Sequence, residues 1–303
     1  MSEPDPHRGA QPSALRLYSL IVLMVLFWAM NFLIGKVALR EIPPLLLGGM
    51  RVSLAGALIL PVYLWMRRRD PVRMNWDRDE LPRFLFLGLM GVAVNQLSFV
   101  IGLNNTSVAH SSILMSQTPL FVLLLAGIVG QERITGRRVA GMLTAIGGVT
   151  VLSVAPAKTS GASLFGDGWI LMAALSFAFF TVFGKQITAR HGSVTVNMFA
   201  YVGGAVMLSP LTLWYAWDFS FAQVSVKAWL SFVYMAVFPS LVCYLIFYYA
   251  LTYIPASRVS AFSYLQPLLA TSAAALIFGE PVTAGLVTGG ALVLTGVFIA
   301  ERA

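Results

Sequence analysis

Amide and hydroxyl side chains recur inside the long apolar stretches of this chain, where burying a polar group is costly. The amides have more hydrogen-bonding groups than their own helix backbone can satisfy, so they are candidates to bind a solute. The hydroxyl side chains fall at helical spacing on two stripes, and they can instead bond to their own helix backbone. These polar candidates are Asn31, Asn95, Gln96, Ser112, Ser116, Ser260 and Tyr264.

Aromatic side chains are concentrated in some of the same stretches. Tyr244 and Tyr248 lie four residues apart in the middle of one apolar segment, where a hydroxyl group facing lipid would lack a partner. Together with Trp28, Phe99 and Phe177, they predict an apolar, aromatic cavity with a few polar anchors. Such a cavity suits a small amphipathic organic molecule better than a bare ion or a phosphate.

Charged groups are almost absent from the interior of the apolar stretches. No Asp or Glu falls in the middle of one, which argues against an obvious proton relay. His110 is the titratable group nearest to such an interior. Lys36, Arg51, Lys185 and Arg258 lie near the ends of the stretches, where basic side chains can reach the membrane surface. We therefore expect no cation at mid-depth, and we assign Lys36, Lys185, Arg258 and His110 to gating.

Three prolines are expected in the middle of apolar segments, at Pro119, Pro239 and Pro267. Each removes one backbone donor and kinks its helix, which predicts hinges and free carbonyl groups.

The P-loop, the Rossmann glycine pattern and the HExxH zinc motif are all missing. The single cysteine excludes disulfides within the chain and a cysteine-based zinc site. We therefore expect no catalytic residue, no metal and no cofactor.

The composition places these residues in a membrane. Of the 303 residues, 58% are apolar and only 11% are charged, against about 25% in an ordinary soluble domain. The mean hydropathy is +0.80. These values exclude a soluble enzyme, a disordered chain and a secreted disulfide scaffold. The net charge of +8 is explained by basic loops that set membrane topology, so we expect no nucleic-acid partner.

Ten apolar segments are long enough to cross a bilayer as helices. Their approximate cores are 17–39, 45–66, 83–103, 107–129, 138–155, 168–189, 195–217, 228–250, 257–278 and 283–300. With a cytoplasmic N-terminus, 15 of the 20 lysines and arginines lie on the cytoplasmic side, which favours both termini there. The polar segment 1–16 is expected to be a disordered tail.

The two halves of the chain resemble each other. A shift of 148 or 149 residues superposes identical residues that are informative in so apolar a sequence. The pairs include Pro119 with Pro267, Glu132 with Glu280, Gly148 with Gly296, and Gly35-Lys36 with Gly184-Lys185. They predict a first five-span repeat at 17–155, a linker at 156–167 and a second repeat at 168–303. Because five is odd, the repeats have opposite orientations, a common arrangement in alternating-access carriers.

Three segments carry a resemblance to a known family. FWAMNFLIGKVA and the paired SQTPLFVLLLAGIVGQERIT and YLQPLLATSAAALIFGEPVT resemble the drug/metabolite transporter superfamily. Within it, the chain is similar to the EamA-type exporters, and most similar to the YddG-type exporters of aromatic amino acids. The resemblance implies an all-α polytopic protein of the bacterial inner membrane. It also implies ten helices in two inverted repeats, with the fifth and tenth outside the ring that bounds a central cavity.

The resemblance and the aromatic residues together predict export of small organic metabolites, in particular amino acids such as phenylalanine, tyrosine, tryptophan and methionine. The expected partners are this small molecule and the lipid bilayer, and the chain is expected to be a monomer or a weak homodimer. Pairs of small residues, Gly141 with Ala145 in the fifth span and Gly285 with Gly289 in the tenth, allow close helix contact within one chain or between two. The alternatives are a drug or other metabolite exporter, a channel, and an intramembrane enzyme acting on lipid.

Overall fold

The computed structural model describes residues 12–70, 76–154, 163–269 and 284–302, and these residues form helices and no strands. Residues 1–11 and 155–162, which hold most of the predicted tail and linker, lie outside the described residues. We number the helices in chain order. They are α1 (Ala14–Ala38), α2 (Pro44–Arg69), α3 (Arg78–Asn105), α4 (Val108–Met115), α5 (Thr118–Ile128), α6 (Gly136–Val154), α7 (Leu164–Trp217), α8 (Val226–Leu251), α9 (Ala256–Ala261) and α10 (Ala284–Arg302).

Six helical stretches of the described residues are long and apolar enough to cross a membrane. One of them, α7, has 54 residues and covers both the sixth and the seventh predicted spans. Its helical geometry breaks at Gly192, where φ is 76° and ψ is 162°, a conformation that only glycine adopts readily. The sequence predicted ten spans, and that number stays a prediction.

The predicted duplication has a counterpart in the backbone of α3 and α8. Each helix contains one seven-residue π-helical segment, at Gly88–Val94 in α3 and at Ala236–Val242 in α8. The two segments lie 148 residues apart, the same shift that superposes the halves of the sequence. π-Helical segments are uncommon and frequently mark functional sites, so this match supports a common origin of the two halves.

The fourth predicted span is broken next to Pro119. Helix α4 ends at Met115 and α5 begins at Thr118, so two turn residues separate them and Pro119 lies in the first turn of α5. A proline has no backbone N–H to continue the hydrogen bonds of the preceding helix, which accounts for a break at this position. That Pro119 acts as a hinge stays a prediction. Pro239 does lie inside its helix, in the π-helical segment of α8.

Helices α6 and α10 pack against each other through glycines. A Cβ atom at Gly148 would lie 2.6 Å from the Val293 nitrogen, and one at Gly141 would lie 2.6 Å from the Ala300 nitrogen. Such distances mean that the two backbones touch, as in other membrane helix pairs with small residues. The close contact offered by these glycines is therefore made within one chain.

A hydrogen-bonded connection joins the loop after α1 to the start of α8. The backbone N–H and the hydroxyl group of Ser225 donate to the two oxygens of Glu41, at 2.6 and 2.7 Å. These hydrogen bonds lower the pKa of the Glu41 carboxyl group. The contact couples the first helix pair to α8 at this end of the molecule.

Candidate functional site

A cavity lies in the middle of the helix bundle, between α1, α2, α3, α7 and α8 and the interruption between α4 and α5. The cavity is partly open to the exterior. No described residue of α6 or α10 lines it. The lining residues are Trp28, Asn31, Phe32, Arg51, Asn95, Gln96, Phe99, Met115, Thr118, Phe177, Tyr244, Ser263 and Gln266.

The two repeats contribute equivalent positions to this cavity, and two of the equivalent pairs touch. Trp28 and Phe177, 149 residues apart, pack edge to face with ring centroids 5.7 Å apart. Gln96 and Tyr244, 148 residues apart, are joined by a hydrogen bond of 2.9 Å from Gln96 Nε2 to the tyrosine oxygen. Residues related by an internal axis can touch only near that axis, so the cavity lies on it.

Two further pairs line the cavity where the helices are irregular. Met115 and Thr118 flank the interruption between α4 and α5, and their equivalents 148 residues later are Ser263 and Gln266. Ser263 lies in a 3₁₀ turn, Phe262–Tyr264, that follows α9. Irregular backbone at membrane depth is tolerated where it borders a cavity or is buried in protein.

A hydrogen-bond network fixes the polar wall of the cavity. The Tyr244 hydroxyl group donates to Asn95 Oδ1 at 3.0 Å or to the Gly91 carbonyl group at 3.1 Å. Asn95 Nδ2 donates to the carbonyl group of Ala173 on α7, at 2.8 Å. All of these side chains are buried. The amides of α3 are thus held in one orientation before any solute arrives.

We expect Tyr244→Phe to destabilise the protein more than Tyr248→Phe does. The first change leaves the buried Gln96 amide and Asn95 Oδ1 without a partner, at a cost of about 1–3 kcal/mol. Tyr248 makes one hydrogen bond, to the Phe180 carbonyl group at 3.0 Å, and is therefore the matched control. Thermal unfolding of both variants in detergent measures the difference. An equal or smaller loss for Tyr244→Phe would contradict the network.

Five of the residues proposed for substrate binding lie outside the lining of this cavity, namely Ser112, Ser116, Tyr248, Ser260 and Tyr264. The Ser116 hydroxyl group donates to the backbone carbonyl group of Ser112, at 2.7 Å. Ser260 likewise donates to the carbonyl group three residues earlier, at 3.1 Å. Tyr248 and Tyr264 are fully buried in the protein core. The structure therefore favours the alternative in which the hydroxyl groups of Ser116 and Ser260 bond to nearby backbone carbonyl groups.

Arg51 corrects two expectations drawn from the sequence. It lies two turns inside α2 and is only 2% exposed, so it does not reach the membrane surface, and a cation does line the cavity. Its Nε donates to Ser240 Oγ at 2.6 Å, and its guanidinium carbon lies 5.9 Å from the centre of the Phe99 ring. The signal in the sequence that could have found this position is the separation of Arg51 from Pro44, where α2 begins.

The remaining lining residues that sequence reasoning missed are Phe32, Met115, Thr118, Ser263 and Gln266. Gln266 is an amide inside an apolar span and carries the same signal as Asn31, Asn95 and Gln96. The others carry small or apolar side chains that are common in any membrane helix. Only the repeat shift connects Met115 to Ser263 and Thr118 to Gln266.

An ionic cluster joins the two repeats at one end of the bundle, which we call the Glu132 end. Glu132 Oε2 lies 3.0 Å from Arg138 Nη1, and Glu132 Oε1 lies 3.9 Å from Lys185 Nζ. The backbone N–H of Ser257, at the start of α9, donates to Oε1 at 3.3 Å, and its hydroxyl group donates to Oε2. The Glu132 side chain is only 5% exposed. The carboxylate therefore holds α7 and α9 of the second repeat against the first.

The opposite end of the bundle has hydrogen bonds of a different kind, and we call it the Lys36 end. Lys36 Nζ donates to the backbone carbonyl group of Thr106 at 2.8 Å, and the Thr106 hydroxyl group donates to Asp167 at 2.6 Å. Asp167 and Lys185 lie on the same limb of α7, 18 residues or about 27 Å apart. Lys36 and Lys185, which the repeat relates, thus lie at opposite ends.

The other residues assigned to gating are placed as follows. Pro239 lies in the cavity region, where its carbonyl group accepts a hydrogen bond from Trp28 Nε1 at 3.1 Å. Arg258 follows Ser257 on α9 and is half-buried. Pro267 lies in the helical residues that follow the 3₁₀ turn. The side chain of His110 lies outside the described residues.

Comparisons with known proteins agree with this arrangement. The model of the EamA-like transporter family matches residues 15–154 and again residues 164–301. An uncharacterized transporter of Archaeoglobus fulgidus is 28% identical over 295 residues, covering 95% of this chain and 99% of its own. A Salmonella typhimurium protein named "Probable amino-acid metabolite efflux pump" is 28% identical over 92% of this chain and 93% of its own.

A solved structure shares the fold. It superposes with a TM-score of 0.75 at 18% sequence identity, and the match covers 96% of this chain and 98% of that one. Its title reads only "Crystal structure of protein". The likeness concerns the arrangement of the helices.

Proposed function

The chain belongs to the EamA-like transporter family, and we propose that it exports amino acids with aromatic or other apolar side chains. It is a membrane transporter and not an enzyme, as its family and its relatives indicate. The relative named as an amino-acid metabolite efflux pump supports this substrate class. The proposed location is the bacterial inner membrane, with both termini in the cytoplasm.

One observation carries the proposal: the cavity on the internal axis is both aromatic and polar. Trp28, Phe177 and Phe99 offer apolar faces to a side chain, while Asn31 and Gln96 offer amide groups to a polar head. A site with these two kinds of wall suits an amphipathic solute. The lining lacks an Asp or Glu among the described residues, so it offers no carboxylate for a polyamine or another organic cation.

We propose alternating access as the mechanism. The two inverted repeats rock around the cavity, which opens to one side of the membrane and then to the other. The ionic cluster of Glu132 would close the cavity at its end while the Lys36 end is open. On this proposal the Glu132 end faces the cytoplasm, as the distribution of basic residues predicts.

Uptake into proteoliposomes tests the substrate class. We expect labelled phenylalanine, tryptophan, tyrosine and methionine to enter vesicles that contain the protein faster than they enter empty vesicles. Absence of transport for all four would overturn the amino acid assignment, and transport of a lipophilic cation instead would favour a drug exporter.

Trp28→Leu is expected to reduce transport of phenylalanine and tryptophan at least about 10-fold, because it removes an aromatic ring of the cavity lining that packs edge to face on Phe177. Trp214→Leu is the matched control, since Trp214 is 79% exposed on α7. Uptake rates at equal protein content compare the two variants. Equal losses would contradict a substrate site at Trp28.

A further inference from the structure

The cavity contains buried polar atoms that have no partner within the described residues. They are Arg51 Nη1, Asn31 Oδ1 and Thr118 Oγ1, and all three residues line the cavity. Leaving such atoms unpaired costs free energy, most of all for a charged group. Atoms of this kind that share one cavity point to a ligand with complementary polar groups.

Arg51 is the charged member of this set. Ser240 and the face of Phe99 are its described partners, and both are neutral. Within the described part of the chain, no Asp or Glu forms an ion pair with it. The guanidinium group thus brings an uncompensated positive charge to the cavity wall.

Arg51 also breaks the symmetry of the site. Trp28, Gln96, Met115 and Thr118 have equivalents in the second repeat that line the cavity too. The residues 148 and 149 positions after Arg51 are Phe199 and Ala200, and neither is charged. The lining therefore has a single described cation, and a bound solute can be oriented by it.

We propose that Arg51 binds the carboxylate group of the transported solute, with Asn31 Oδ1 as an acceptor for its ammonium group. A guanidinium group presents paired N–H donors that match a carboxylate, and such charge-assisted hydrogen bonds are the strong ones. An α-amino acid carries both polar groups on one carbon, and its side chain is then directed to the aromatic wall. The proposal deepens the proposed function and rests on it.

Four phenyl compounds separate the contributions of the two polar groups. Phenylalanine carries both groups, 3-phenylpropionate only the carboxylate, phenethylamine only the ammonium, and phenylalaninamide lacks the carboxylate. We expect phenylalanine and 3-phenylpropionate to stabilise the purified protein against thermal unfolding and to compete with labelled phenylalanine for transport. The two compounds without a carboxylate should act about 10- to 100-fold more weakly.

Variants at Arg51 complete the test. Arg51→Met should remove the preference for carboxylates, and Arg51→Lys, which keeps the charge but not the paired donors, should retain part of it. Arg40→Met removes the same charge from an exposed position and should leave the preference unchanged. Arg51→Met relieves an unpaired buried charge, so loss of folding is not the expected result.

The outcomes distinguish this proposal from the proposed function. If phenylalanine is transported but Arg51→Met keeps the full preference for carboxylates, the role of Arg51 is wrong and the function stands. The role is also wrong if phenethylamine competes as well as phenylalanine. If no amino acid is transported but 3-phenylpropionate stabilises the native protein and not Arg51→Met, the carboxylate site stands and the amino acid assignment fails.

Discussion

Glu132→Gln is expected to open the Glu132 end of the bundle. The change leaves Arg138 and Lys185 close together without their carboxylate, in a cluster that is only slightly exposed. Removing one partner of a buried ion pair costs about 3–5 kcal/mol, and even 1.4 kcal/mol shifts an equilibrium tenfold. We therefore expect the cavity to become accessible from this end at least about 10-fold more often.

A cysteine in the cavity wall reports this access. The substitution Ser263→Cys places a cysteine in the cavity lining. The second substitution Cys243→Ala removes the single native cysteine, so that only the introduced cysteine can react. The measured quantity is the rate at which a membrane-impermeant maleimide, added on the Glu132 side, reacts with that cysteine. Asp79→Asn is the matched control, because it removes one negative charge from an exposed position near this end. An unchanged rate, or an equal rise in the control, would contradict the gating role of Glu132.

Gly148→Ala is expected to destabilise the protein, against the usual effect of this substitution in a helix. The added Cβ atom would lie 2.6 Å from the nitrogen of Val293 and 2.7 Å from the carbonyl oxygen of Gly289, which are backbone atoms of α10. The two helices must separate to accept it, and overpacking of this kind costs about 1–3 kcal/mol. The unfolding midpoint in detergent should fall accordingly.

The neighbouring Gly147 provides the control for this prediction. It lies on the same helix, and a Cβ atom there would meet nothing within 4 Å. Gly147→Ala should therefore stabilise α6 by up to about 0.5–1 kcal/mol, because alanine loses less backbone entropy than glycine. Opposite signs for the two variants are the expected result. A loss of stability in both, or in neither, would show that the α6–α10 contact is not as close as described.

Much of the cavity wall could be predicted from the sequence, because membrane burial makes polar groups informative. Asn31, Asn95 and Gln96 stand out in apolar helices, and the structure places all three in the lining. The aromatic rings of Trp28 and Phe177 predict them at the site, and the two residues are also equivalent positions of the two repeats. Their use in substrate binding stays a proposal.

The rest of the wall was not predicted, for two different reasons. Counting basic residues assigns Arg51 to a span end, although the predicted span 45–66 already places it about two turns inside, as α2 does. The spacing of the hydroxyl groups predicts Ser112 and Ser116 at the site. Met115 and Thr118, on either side of the two turn residues before Pro119, line the cavity in their place.

Counterflow of labelled phenylalanine in proteoliposomes tests the central claim most directly, namely that this protein is a carrier whose site lies on the axis between its two repeats. Vesicles loaded with unlabelled phenylalanine should accumulate label transiently above its equilibrium level, and Trp28→Leu should abolish that overshoot. Entry of label that does not respond to the internal load would indicate a channel. No entry above empty vesicles would contradict the account altogether.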